Sequence, residues 1–146
     1  MKFMIVGKGN AEIEAGALPS KEYVDQMHAY NESLAKAGVL LAAEGLYPSS
    51  RGAQIAYTGG KATVIDGPFT EAKELIAGFW LIQVKSKEEA VEWALRLPMP
   101  PGAEGVALDV WQVFDASDVP DESMPAEQRE HEKALREVLG ADEPGV

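Results

Sequence analysis

Gly78-Phe79-Trp80-Leu81-Ile82-Gln83-Val84, followed closely by Ser86-Lys87-Glu88-Glu89, is the stretch that decides the fold. Its first part is a strand built from aromatic and branched residues. Its second part is a capping box, in which Ser86 accepts from the Glu89 amide while Glu89 reaches back. Ala90, Ala94 and Leu97 then recur on one side of a helix that Pro98 stops. The strand is apolar on both sides, with Gly78, Trp80, Ile82 and Val84 on one and Phe79 and Leu81 on the other. An antiparallel sheet with one face in water should alternate polar and apolar residues. Helices can cover one face; a symmetric copy of the same sheet would cover the other. The expected assembly is a homodimer.

Working outward, Ala53 to Thr58 and Lys61 to Asp66 flank Gly59-Gly60, a pair that tolerates the positive φ of a tight hairpin turn. That register sets Ile55 opposite Val64 and Tyr57 opposite Ala62. Asp66-Gly67-Pro68-Phe69 breaks the second strand, because proline cannot donate to a ladder, and Thr70 to Leu75 reads as a helical turn. Further upstream, Lys2 to Val6 reads as a first strand and Val39 to Ala43 as a second. Between them Ser20 is placed to cap a helix whose stripe is Val24, Met27, Tyr30, Leu34 and Ala37, with Gly38 as its stop. Downstream, Val106 to Phe114 reads as the last strand. The order β-α-β, hairpin, β-α-β is an α+β, ferredoxin-like antiparallel sheet with an inserted hairpin. Residues 1–115 form that domain. Residues 116–146 form an acidic extension with one helix, Pro125 to Leu139, whose apolar edge is Leu135, Val138 and Leu139.

Composition narrows the function. A chain of 146 residues is one domain's worth. Ten acids and three bases fall in residues 115–146, so −7 of the net charge of −11 falls there, nearly all of it in the extension. Without a basic stripe, neither nucleic acid nor an anionic membrane is an expected partner. No cysteine is present, which removes disulfides, thiolate catalysis and cysteine-bound metals. No His/carboxylate cluster has metal-ligand spacing, so no metal and no cofactor is expected. The N-terminal apolar run is too short for a signal peptide and no stretch is long enough to span a bilayer, which makes a cytoplasmic location the expectation.

The run Asp66-Gly67-Pro68-Phe69-Thr70-Glu71-Ala72-Lys73-Glu74 closely resembles the DGPF branch of the YCII-related proteins. Gly78-Phe79-Trp80, Ala90-Val91-Glu92-Trp93-Ala94, the stretch from Ala37 to Leu46 and Pro48-Ser49-Ser50 fit the same branch. The resemblance covers about residues 1–115 and implies a dimeric α+β barrel, similar in architecture to muconolactone isomerases. In the YCII branch a histidine early in the first helix pairs with an aspartate in a proposed acid–base site. His28 lies one position away from that histidine when counted back from Gly38, which is about 100° around a helix.

Several residues carry candidate chemistry, each beside a plainer role. Asp66 can act as base or acid at a strand end, or cap the turn that follows. Glu44, emerging from an apolar strand, can share a pocket with Asp66 or form an ion pair with Lys73 or Arg51. His28 can shuttle protons near neutrality, or be a hydrogen-bonded structural histidine. Arg51 and Lys73 can hold a carboxylate or phosphate, while Phe69, Trp80 and Tyr57 can wall a pocket or belong to the core. Two readings of function follow. One is a cofactor-independent acid–base enzyme of isomerase or lyase type, acting on a small carbonyl or lactone metabolite. The other is a non-catalytic small-molecule-binding or regulatory module using the same cleft. A third, a protein-interaction role, rests only on the C-terminal helix.

Overall fold

The structure is a computed structural model and describes residues 1–68, 74–99 and 106–140. Its elements in chain order are β1 (Lys2–Lys8), α1 (Ala11–Glu14), α2 (Lys21–Lys36), β2 (Leu40–Gly45), β3 (Ala53–Thr58), β4 (Lys61–Asp66), β5 (Ile76–Gln83), α3 (Lys87–Leu95), β6 (Leu108–Gln112) and α4 (Ala126–Leu139). Four strands form one antiparallel sheet in the order β2-β5-β1-β6, and β3 and β4 pair separately. With the hairpin set aside, β1-α2-β2-β5-α3-β6 is the βαββαβ arrangement expected. The expected helical turn at Thr70 to Leu75 lies mostly outside the described residues.

Local chemistry places the helices. Ser20 Oγ accepts from the Tyr23 amide and starts α2. Ser86 Oγ accepts from Glu89 N, while Glu89 Oε2 accepts from Lys85 N, one residue upstream of the expected partner. Gly59 and Gly60 take positive φ at the hairpin tip, and the register sets Ile55 opposite Val64 and Tyr57 opposite Ala62 as the sequence indicates.

The core lies between one face of the sheet and α2 and α3. Phe3, Ile5, Trp80, Ile82 and Val84 from the sheet meet Tyr30, Leu34, Ala90 and Ala94 from the helices. Tyr30 stacks edge-on against Trp80 with ring centres 6.0 Å apart, and its hydroxyl donates to the Trp93 carbonyl at 2.8 Å. The opposite face carries the side chains of alternate register: Met4 opposite Leu81 and Trp111, and Val6 opposite Phe79 and Asp109. Trp111 on that face is 59% exposed.

Two details depart from the sequence reading. The stripe on α2 holds at Met27, Tyr30 and Leu34, but Val24 is 48% exposed and Ala37 is also exposed. In the first half of the helix the inward positions are Tyr23 and Met27, because this end stands over a cavity instead of on the sheet. The short helix α1 was not anticipated; Asn10 Oδ1 caps it by accepting from Ile13 N at 2.8 Å. Downstream, α4 runs from Pro125 as cap to Gly140 in the left-handed conformation. Arg129 ties it to the preceding segment, donating to the carbonyls of Ala116, Val119 and Met124 and to the Asp121 carboxylate. Its Leu135, Val138 and Leu139 edge is exposed in the single chain.

Candidate functional site

A cavity of about 650 Å³ opens between the helix-covered face of the sheet, the first half of α2 and α1. Its floor is Gly7 of β1, Ala43 of β2, Trp80 of β5 and Leu108 of β6, which share that face by register. Its roof is Tyr23, Met27 and Asn31, spaced four apart on α2 and so aligned along one side of the helix. Ile13 and Glu12 of α1 close one side, and the segment from Glu44 to Pro48 another. The walls are mostly apolar, with a few polar groups among them. That combination is typical of small-molecule sites.

The polar groups have distinct settings. Trp80 is buried, and its indole Nε1–H donates to Asn31 Oδ1 at 2.8 Å. Burial pushes the Tyr23 phenol pKa up, so this hydroxyl stays protonated well beyond neutrality. Lys8 forms an ion pair with Asp109 at 3.1 Å. Glu12 adds a carboxylate to the lining, while Glu44 borders it from the end of β2, paired with Phe79 of the outer face.

The wall next to α1 is held by a latch. The Glu14 carboxylate accepts from both the Ser49 amide, at 3.2 Å, and the Ser49 hydroxyl. Ser49 is buried, and the Gly67 Cα sits so close to its carbonyl that a Cβ there would collide with it. Gly67 N in turn donates to Gly52 O at 3.0 Å, so the root of the hairpin is seated on the latch.

The residues singled out from sequence are dispersed. Trp80 and Glu44 line the cavity. His28 does not; its side chain is 75% exposed and lies 3.4 Å from Glu32 one turn on. Asp66 ends β4, exposed, and Tyr57 is 81% exposed on the hairpin. Arg51 lies over the Tyr47 ring, 3.9 Å from its centre, and Tyr47 itself lines the cavity. Phe69 and Lys73 lie outside the described residues. Among the described residues, Asp66, Glu44 and His28 do not share one cleft, and no cluster of potential metal ligands occurs. Sequence reasoning missed Tyr23, Asn31 and α1. The signal for the first two was the Tyr23-Met27-Asn31 spacing, one residue off the stripe that was read.

Known proteins resemble the chain to different degrees. An uncharacterised protein of Rhizobium meliloti (strain 1021) is 35% identical over 68 residues, which cover 47% of this chain and 55% of that protein. The chain thus spans about half the length of the curated relative it matches. Among solved structures, the 5-chloro-2-hydroxyhydroquinone dehydrochlorinase TftG from Burkholderia phenoliruptrix AC1100, in complex with 2,5-dihydroxybenzoquinone, is 16% identical with a TM-score of 0.41, over 82% of this chain and 100% of that one. The family model of the YCII-related domain matches residues 1–112, which span β1 through β6 and every strand beneath the cavity. The chain belongs to the YCII-related family.

Proposed function

We propose that this YCII-related protein binds a small, largely apolar metabolite in the cavity beneath α2, and that it does so as a homodimer. The observation that carries the reading is the cavity itself, about 650 Å³, apolar in the main and lined by a few hydrogen-bonding groups. The apolar outer face of the sheet, with Met4, Phe79, Leu81 and Trp111, supports pairing with a second copy.

Proton transfer on a carbonyl or lactone metabolite is a second reading, favoured by one observation. Glu12 of α1 lines the cavity, and a carboxylate beside a bound ligand can act as general base. Of the three acid–base candidates from sequence, Glu44 touches the lining from the end of β2, where its register partner is Phe79 on the outer face of the sheet; Asp66 and His28 would have to act from outside the described cavity.

A thermal-shift screen of uncharged aromatic and alicyclic compounds tests the binding reading, because any native-state binder raises the melting temperature. Hits should be lost in Ala43→Phe, which fills the floor. Hits that stabilise the filled variant equally well would overturn the assignment of the cavity. For the second reading, Glu12→Gln should abolish conversion of a hit without abolishing its binding.

A further inference from the structure

We propose that Asn31, oriented by Trp80, makes this cavity select uncharged ligands bearing a carbonyl oxygen over carboxylates. The inference rests on the small-molecule reading above and names the class of ligand. Trp80 is 8% exposed, and its indole N–H, buried in the core, needs an acceptor. Asn31 Oδ1 supplies it at 2.8 Å. This bond fixes which end of the carboxamide is which, since an indole N–H can only donate. The acceptor end is therefore engaged, and Nδ2, with two N–H donors, has no protein partner among the described residues. Tyr23 is two turns earlier on the same side of α2 and supplies a second donor, held protonated by its burial. A ligand carbonyl oxygen can accept from the free Asn31 amide donors.

Charge argues against an anion. Lys8, the cation of the lining among the described residues, is already engaged by Asp109 at 3.1 Å. Glu12 adds a negative charge at the lining. A carboxylate entering here would give up its hydration and gain no counter-charge, whereas a carbonyl gives up less and is met by donors. Asn31 is thus the residue that touches ligand, and Trp80 is a positioning residue acting through it.

The test uses the full chain, nitrogen-labelled, titrated with three probes of nearly equal shape: acetylnaphthalene, naphthoate and ethylnaphthalene, substituted at the same ring carbon. The Asn31 side-chain amide and the Trp80 indole N–H are followed by NMR. The ketone should bind about tenfold more tightly than either of the others, the size of one well-placed hydrogen bond, and should shift the Asn31 amide. Asn31→Leu should remove that advantage, bringing the ketone to the affinity of ethylnaphthalene. Because it also strips the Trp80 indole of its acceptor and can unfold the chain, Asn31→Asp is the second variant. It keeps the acceptor, removes the donors and should abolish the ketone preference. Trp80→Phe should narrow the gap between ketone and ethylnaphthalene, a selectivity change that loss of packing alone would not give. Equal binding of the ketone and ethylnaphthalene to the unaltered chain overturns the inference while leaving the cavity as a binding site. A ketone preference that survives Asn31→Asp overturns it as well. If none of the probes moves the Trp80 indole, the small-molecule reading falls and this inference falls with it.

Discussion

Tyr30 shows how much one side chain can do in this fold. It closes the core against Trp80, and its hydroxyl satisfies the Trp93 carbonyl at 2.8 Å. Burial raises its pKa from 10.0 to about 12, against a smaller opposing pull from the Arg96 charge. The folded state therefore holds this proton more tightly than the unfolded chain does. Its contribution to stability is complete below the unfolded value near 10 and is lost as pH climbs towards about 12. Tyr30→Phe should cost about 1 kcal/mol at neutral pH, the net worth of a neutral hydrogen bond. It should also flatten this part of the alkaline loss, read as the difference between the two proteins in urea unfolding across that window. A difference that stays constant through the window would be against it. At this scale the sequence was legible wherever the cause was local. Ser20 and Ser86 announced their caps, and Gly59-Gly60 announced the turn, because each effect lies within a few residues. Asn31 was not legible. Its role depends on Trp80, 49 positions away, and nothing within helical reach of Asn31 signals a buried indole.

Among the elements, α2 and α4 make opposite cases. The periodicity of α2 holds at Met27, Tyr30 and Leu34 and fails at its two ends, where Tyr23 takes the inward place expected of Val24 and Ala37 is exposed. A stripe of apolar residues marks contact, but it does not mark where contact stops. The boundaries of α4 were readable from Pro125 and Gly140, yet its docking was not, because in the single chain its apolar edge meets no core. What holds it is Arg129, with one guanidinium serving three carbonyls and a carboxylate. An isolated helix of this length is marginal in water. Arg129→Ala should therefore raise amide exchange across residues 126–139 about tenfold or more, since charged hydrogen bonds contribute roughly 1.5–3 kcal/mol each where they are retained. Exchange in α4 unchanged from the unaltered chain would mean that the extension is anchored elsewhere. We expect Leu135, Val138 and Leu139 to dock on the second subunit, in which case truncation after Phe114 lowers the melting temperature of the dimer and leaves the core fold intact.

For the molecule as a whole, the double-sided apolar character of β5 remains the most informative property of the chain. The register gives the two faces separate duties: Trp80 and Ile82 face the helices, while Phe79 and Leu81 face outward. Leu81→Asp should then halve the mass seen by light scattering at micromolar concentration while preserving the circular dichroism of the fold. A stable interface of this kind should bury at least about 1,000 Å². An unaltered chain that is monomeric at every accessible concentration would remove the basis for pairing. The hairpin stands apart from this sheet, and its root is seated on Ser49, which Glu14 holds from the far side. Cavity wall and hairpin are thus linked through Ser49. With six residues in each strand, the arm reaches about 20 Å from its root, so a rotation of about 6° at Ser49 sweeps the tip by about 2 Å. Any tilt of the hairpin's root on Ser49 is therefore magnified at Gly59-Gly60, the far end of the arm.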